Sequence, residues 1–151
     1  MKLYINAGFG EPIGAEMLGA LKQRRFAGVR QDVRDAALAP ALCREIADSG
    51  LQAILLVGGG KMGKEGKGTP PNEIAALAEA TARAAHDAGL FEAGRAVIEI
   101  GNEPDIAYTY DRRPELFAEA VRMSEARIRA VSAVALVVTG GVMTTNRHGL
   151  D

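Results

Sequence analysis

The chain has no tryptophan, one cysteine and few aromatics, its three Tyr and four Phe making up 5% of 151 residues. A single thiol, Cys43, excludes an internal disulfide framework and a multi-thiolate metal site. With Leu42 and Ile46 beside it on a helical pattern, Cys43 is expected to be a packed helix residue. Long hydrophobic runs are also missing. The longest apolar stretches are about six residues, far short of the ~20 needed to span a bilayer, so no membrane partner is expected. Neither sign of charge dominates: 18 Lys and Arg against 19 Asp and Glu leave a formal net charge of −1. Without a basic stripe to neutralise phosphates, nucleic acid is not an expected partner. The opening MKLYINAGFG contains no apolar segment followed by a small-residue cleavage site, which favours a cytoplasmic location.

What is present is ordinary for a globular protein, 48% apolar and 25% charged, and is read as a single domain over residues 1–151. Short β-rich runs alternate with longer helical stretches. Strands are expected at Leu3–Gly8, Gly28–Val33, Ala53–Val57, Ala96–Gly101 and Ala135–Thr139. The run AILLV is continuous, as a strand buried on both faces of a parallel sheet should be. Helices are expected near Ala15–Arg25, then where Leu38, Leu42 and Ile46 recur up to Gly50, then where Ile74, Leu77, Thr81 and Ala84 recur up to Gly89, and over Pro114–Ser132. Asp35 can cap the second helix, and Thr69 the third, with Pro70 in its first position.

Strict β-α alternation with long crossovers argues an α/β fold built on a parallel sheet of five βα units. An open doubly wound sheet and a partial TIM (β/α)8 barrel both satisfy that pattern, and periodicity alone does not separate them. Five units in 151 residues average about thirty each, whereas a complete eightfold barrel takes roughly 250. The barrel reading therefore makes the chain incomplete.

In parallel α/β folds the chemistry sits at the C-terminal ends of the strands. There, after the fourth strand, stands Val97–Asp105 (VIEIGNEPD). Pro104 cannot donate to the ladder and ends the strand. Simple alternation sends Asn102 and Glu103 to opposite faces, but a glycine before them makes a break in the pleating easier. A carboxyl beside an amide in a partly dry pocket can stay protonated, as a general acid must. Glu99 lies within the strand, and if it points inward it requires a cation such as Arg30.

The stretch IEIGNEPD resembles the fourth-strand signature of the retaining glycoside hydrolases grouped as clan A, and the resemblance extends over strands two to five. It implies an acid/base role for Glu103 and a sugar-hydroxyl contact for Asn102. GVRQDV supports it by placing Arg30 where that family often has a pocket arginine, and Tyr108 and Tyr110 follow the motif as possible sugar platforms. The implied function is retaining hydrolysis of a carbohydrate substrate with no metal or organic cofactor. The family's nucleophile belongs to a seventh strand that this chain lacks. Such enzymes need two carboxyl groups about 5 Å apart, and Asp32, Asp105 and Asp151 are not singled out by spacing. A histidine often found after the third strand is replaced by GGGKMG, while His86 and His148 are read as surface residues. Activity of this chain alone is therefore not expected, and an open five-strand sheet predicts self-association or a missing C-terminal half-barrel.

Two other classes stay open. One is a nucleotide- or phosphate-binding open α/β module, suggested by Gly58–Thr69. There Gly58 and Gly63-Lys64 have phosphate-loop spacing, but Glu65 stands where a hydroxyl is needed and Pro70 delays the helix. The glycines after strand one (Gly8, Gly10, Gly14) miss the dinucleotide spacing by one residue. The other class is a non-catalytic carbohydrate-binding remnant of the barrel.

Overall fold

The computed structural model describes residues 2–9, 11–58, 69–102 and 113–140. Five strands, β1 (Tyr4–Phe9), β2 (Gly28–Val33), β3 (Gln52–Val57), β4 (Ala96–Ile100) and β5 (Leu136–Thr139), alternate with four helices. The helices are α1 (Ala15–Gln23), α2 (Ala39–Ser49), α3 (Pro71–Asp87) and α4 (Pro114–Val131). All neighbouring strands are parallel, and their order in the sheet is their order in the chain, β1-β2-β3-β4-β5.

That order decides between the two α/β architectures. A doubly wound sheet reverses direction at a switch point and carries helices on both faces. Here each crossover advances one strand, and the helices touch in sequence, α1 with α2, α2 with α3, α3 with α4. The core lies between the helix layer and one face of the sheet, where Val29, Leu55, Ile98 and Ile100 are shielded from solvent together with Leu42, Ile46, Ala78, Ala82 and Ile128. The fold is a partial (β/α)8 barrel, with all described helices on what would be the outside of the barrel.

Helix boundaries follow local chemistry with two corrections, at the caps of α2 and α3. Helix α2 ends at Gly50, whose left-handed backbone (φ 76°) closes the last turn without a Cβ penalty. Asp35 acts one turn earlier than expected, its Oδ1 accepting from the Ala37 N–H at 2.9 Å while Leu38 occupies the cap position. Thr69 does not cap α3: the cap residue is Pro70, Pro71 opens the helix, and no side chain bonds to it there. With Thr69 as the cap, Pro71 at the second helical position has no N–H to donate, which removes one of the two bonds a threonine cap can make. Cys43 is fully buried in α2, and desolvation pushes its thiol up to about 12.

The register places the side chains of the other sheet face in rows. Tyr4, Gly28 and Gln52 form the row nearest the N-terminal strand ends. The Tyr4 hydroxyl donates to Gln52 Oε1 across β2. A Cβ at Gly28 would run into both the Tyr4 ring and the Gln52 carbonyl, so glycine is what lets that ring pass close over β2. Above it come Asn6, Arg30, Ile54, Val97 and Leu136, then Asp32, Leu56, Glu99 and Val138. A one-residue irregularity between Asn6 and Gly8 shifts β1 against β2 near its exit.

Candidate functional site

The upper rows end in a polar cluster at the C-terminal edge of β2 and β4. Arg30 and Glu99 belong to strands separated by β3, roughly 10 Å away at the usual strand spacing. Only a long side chain bridges that gap. Arg30 does so with both Nε and Nη2, which donate to Glu99 Oε2 at 2.7 Å and Oε1 at 2.9 Å. The two-pronged geometry fixes both groups, because a planar guanidinium matches a carboxylate edge. The cation that an inward Glu99 requires is thus Arg30. With side-chain exposures of 23% and 10% the pair is largely withdrawn from water.

Asn102 joins this cluster by a backbone device. On β4 the positions of Val97 and Glu99 face the open side, so regular pleating would turn Asn102 toward the helices. Gly101 instead adopts φ 75°, breaking the alternation. Asn102 Oδ1 then accepts from Arg30 Nη2 at 3.0 Å. Because Oδ1 is engaged, Nδ2 is the Asn102 atom that can donate to a ligand.

Asp32 stands in the same row as Glu99, two strands away. Its Oδ2 accepts from Arg34 Nε at 2.7 Å. Its Oδ1 is buried and has no hydrogen-bond partner. The cluster therefore holds two guanidinium groups and two carboxylates, each charge offset by a neighbour, plus one unsatisfied buried acceptor. An acceptor in that state carries a desolvation cost of about 1–3 kcal/mol until a donor reaches it. Among the described residues no three His, Cys, Asp or Glu converge as metal ligands.

The structure thus brings Arg30 and Asn102 together, while Glu103 and Tyr108 lie outside the described residues, as does most of the glycine-rich loop with Lys64. His86 is a surface residue, its Nδ1 2.9 Å from Glu92 Oε1. Sequence reasoning passed over Arg34 altogether and left Asp32 as one carboxylate among several. The signal was there in the alternating charges of Arg30–Asp35 (RQDVRD), where period two sets Arg30 and Asp32 on one face. Gln31 was missed too. It is wholly buried on the helix side, and its Nε2 donates to the Glu11 carbonyl at 3.0 Å, tying the β1–α1 connection to β2.

No family model matches the sequence, and no curated protein does. Among solved structures the fold matches one described as "a putative phosphonomutase" from Burkholderia cenocepacia, with TM-score 0.58 and 10% identity. The match covers 91% of this chain and 53% of that one, so the chain spans about half the length of the structure it resembles. At that identity the likeness establishes the fold.

It also corrects the resemblance to retaining glycoside hydrolases. The matching barrel is described as a mutase and not a glycosidase. The assignment as a glycosidase acting on carbohydrate falls with it, and the open nucleotide-binding sheet and the carbohydrate-binding remnant gain no support. The physical reason is that barrel scaffolds host unrelated chemistries, so a short strand-end motif identifies the place of a site more readily than its reaction. Here Glu99, Gly101 and Asn102 have an architectural task, fixing Arg30 over β3. No described helix is long and apolar enough to cross a membrane.

Proposed function

We propose that the chain supplies the strand-two to strand-four wall of a small-molecule site at the C-terminal mouth of a (β/α)8-type barrel. The ligand is a small polar acid bearing a hydroxyl or ammonium group. The observation that carries this reading is Asp32 Oδ1, a buried acceptor without a donor at the strand end where barrel folds place their ligands. A ligand hydroxyl or ammonium supplies that donor. Asn102 Nδ2 and the guanidinium groups of Arg30 and Arg34 give the oxyanion end a favourable neighbourhood, with Glu99 holding Arg30 in place. The name of the fold neighbour adds that a barrel of this shape can act on a small oxyanion, a phosphonate. Glu103, next in sequence after Asn102, is proposed as the proton-transfer group of the site, and Tyr108 as a further contact.

The test is titration of the chain with glycolate, glycine and hydroxymethylphosphonate, followed by amide NMR and calorimetry. Shifts centred on Asp32 and Asn102 are expected for at least one of the three probes. Asp32→Asn, which keeps the shape but replaces one acceptor with a donor, should weaken that probe at least tenfold, about 1.4 kcal/mol. Glu103→Gln should leave binding intact. Shifts confined to the helices or to the N-terminal strand ends, or equal affinity in Asp32→Asn, would refute the reading.

A further inference from the structure

Three neighbouring strands leave the sheet on a glycine at the same height. Their last paired row is Val57, Ile100 and Thr139, and the residues that follow are Gly58, Gly101 and Gly140. The ladder reaches one residue past that row. Gly101 N–H donates to the Val57 carbonyl at 2.8 Å, and Gly140 N–H to the Ile100 carbonyl at 3.0 Å. Gly58 and Gly101 have left-handed backbone, with φ 80° and 75°. Gly140 does not, so its own conformation makes no demand for glycine. What demands it is a neighbour. A Cβ at Gly140 would lie 2.1 Å from the Gly101 oxygen, 2.7 Å from the Gly101 carbonyl carbon and 3.0 Å from Asn102 Cα. Those atoms belong to the peptide whose turn at Gly101 brings Asn102 to Arg30.

We propose that Gly140, at the exit of β5, is a positioning residue of the ligand site. Its empty Cβ space admits the Gly101–Asn102 peptide in the orientation that holds Asn102 Oδ1 on Arg30 and leaves Nδ2 for the ligand. The consequence for binding rests on the ligand reading above; the effect on Asn102 does not. The crowding atoms are backbone and cannot swing aside as a side-chain tip would, so a methyl group at position 140 must move either the peptide or the strand end. The peptide is the softer of the two. Gly101 has no side chain to hold its carbonyl in place, whereas β5 is fixed by its pairing with β4 and by the Gly140 N–H. The geometry at the end of strand four is thereby set from strand five.

Side-chain NMR of the full chain, combined with binding titrations, tests this. In Gly140→Ala the Asn102 Nδ2 and Arg30 Nε signals should shift. The best-binding probe among glycolate, glycine and hydroxymethylphosphonate should bind about fivefold more weakly, as loss of one hydrogen bond would cause. In an Asn102→Gly background the same substitution should weaken binding no further, because the residue it acts through is gone. A general loosening of β5 would add its full effect in both backgrounds. Thr139→Ala, an exposed position on the same strand, should leave the signals and the affinity unchanged. Should Gly140→Ala fail to fold, adding Asn102→Gly should restore the fold by freeing the peptide, and a double variant that stays unfolded overturns the proposal. Unmoved Asn102 and Arg30 signals, shifted signals with unchanged affinity, or additive losses in the double variant also overturn it. If no probe binds the unaltered chain, the ligand reading fails, and the two side-chain signals alone decide the role of Gly140.

Discussion

The two faces of the sheet are made from the same strands and behave differently. On the helix side Val29, Leu55, Ile98 and Ile100 are all shielded from solvent. On the other side the alternating residues are Arg30, Ile54, Val97, Glu99, Leu136 and Val138, ranging from nearly buried to well exposed. One face holds the fold together; the other carries its charges. A parallel sheet is normally covered on both sides, so the contrast locates where the molecule has binding capacity left.

The contrast is tested most severely by deletion on each face. Ile98→Ala should cost about 3 kcal/mol in urea unfolding, because the helix layer cannot collapse into the gap. Leu136→Ala, at 61% exposure, should cost under about 0.5 kcal/mol in the monomeric state. Similar losses at both positions would mean that the faces are not distinct.

Next in size is Gly28→Ala. Its added methyl meets the Gln52 carbonyl and the Tyr4 ring, and the overpacking should cost about 2 kcal/mol by the same measurement. Tyr4→Ala in the same chain should return only a small part of that loss, because the closer contact is with the Gln52 backbone carbonyl. A full recovery would show that the ring, and not the backbone, sets the cost.

The Arg30–Glu99 pair gives a smaller effect because it keeps some contact with water. Arg30→Met should cost about 1.5 kcal/mol, chiefly from stranding the Glu99 carboxylate. The double variant Arg30→Met/Glu99→Leu should recover most of it. Additive losses would show that the two residues do not act as a unit.

The last test sets Cys43 against a new cysteine on the open side. Burial raises the Cys43 thiol from its ordinary 9.0 to about 12, so at pH 8 a disulfide reagent should label it only as fast as the protein opens. In a Leu136→Cys variant the added thiol should react at once. The sign of the pH effect follows from the same shift. The folded pKa lies above the unfolded one, so the contribution to stability is complete below pH 9.0 and is lost as pH rises toward about 12. An unfolding midpoint that rises between those limits would contradict the burial.

Much of the fold was legible beforehand because hydrophobic periodicity is a local property. GVRQDV is β2 to the residue, and the fourth helix differs from its expected end by one position. The candidate site was legible in part. Position within β2 and β4 put Arg30, Asp32 and Glu99 on consistent faces, and the glycine before Asn102 marked the break in pleating. Which carboxylate Arg30 would hold depended on two strands coming into register across a third, and no local pattern carries that distance. The glycosidase reading failed for a related reason. A strand-end motif is local, whereas a reaction depends on groups converging from several strands.

What the sequence by itself determined is the alternation of five strands with four helices, together with the two-residue period that sorts apolar from polar along each strand. Those follow from backbone geometry and solvent avoidance within a few residues. Only the tertiary structure decided that the strands lie in chain order with every described helix on one face, and that Arg30 reaches over β3 to Glu99 and Asn102 while Asp32 keeps a buried oxygen without a donor. Each of these is a contact between residues far apart in the chain, set by how whole layers pack.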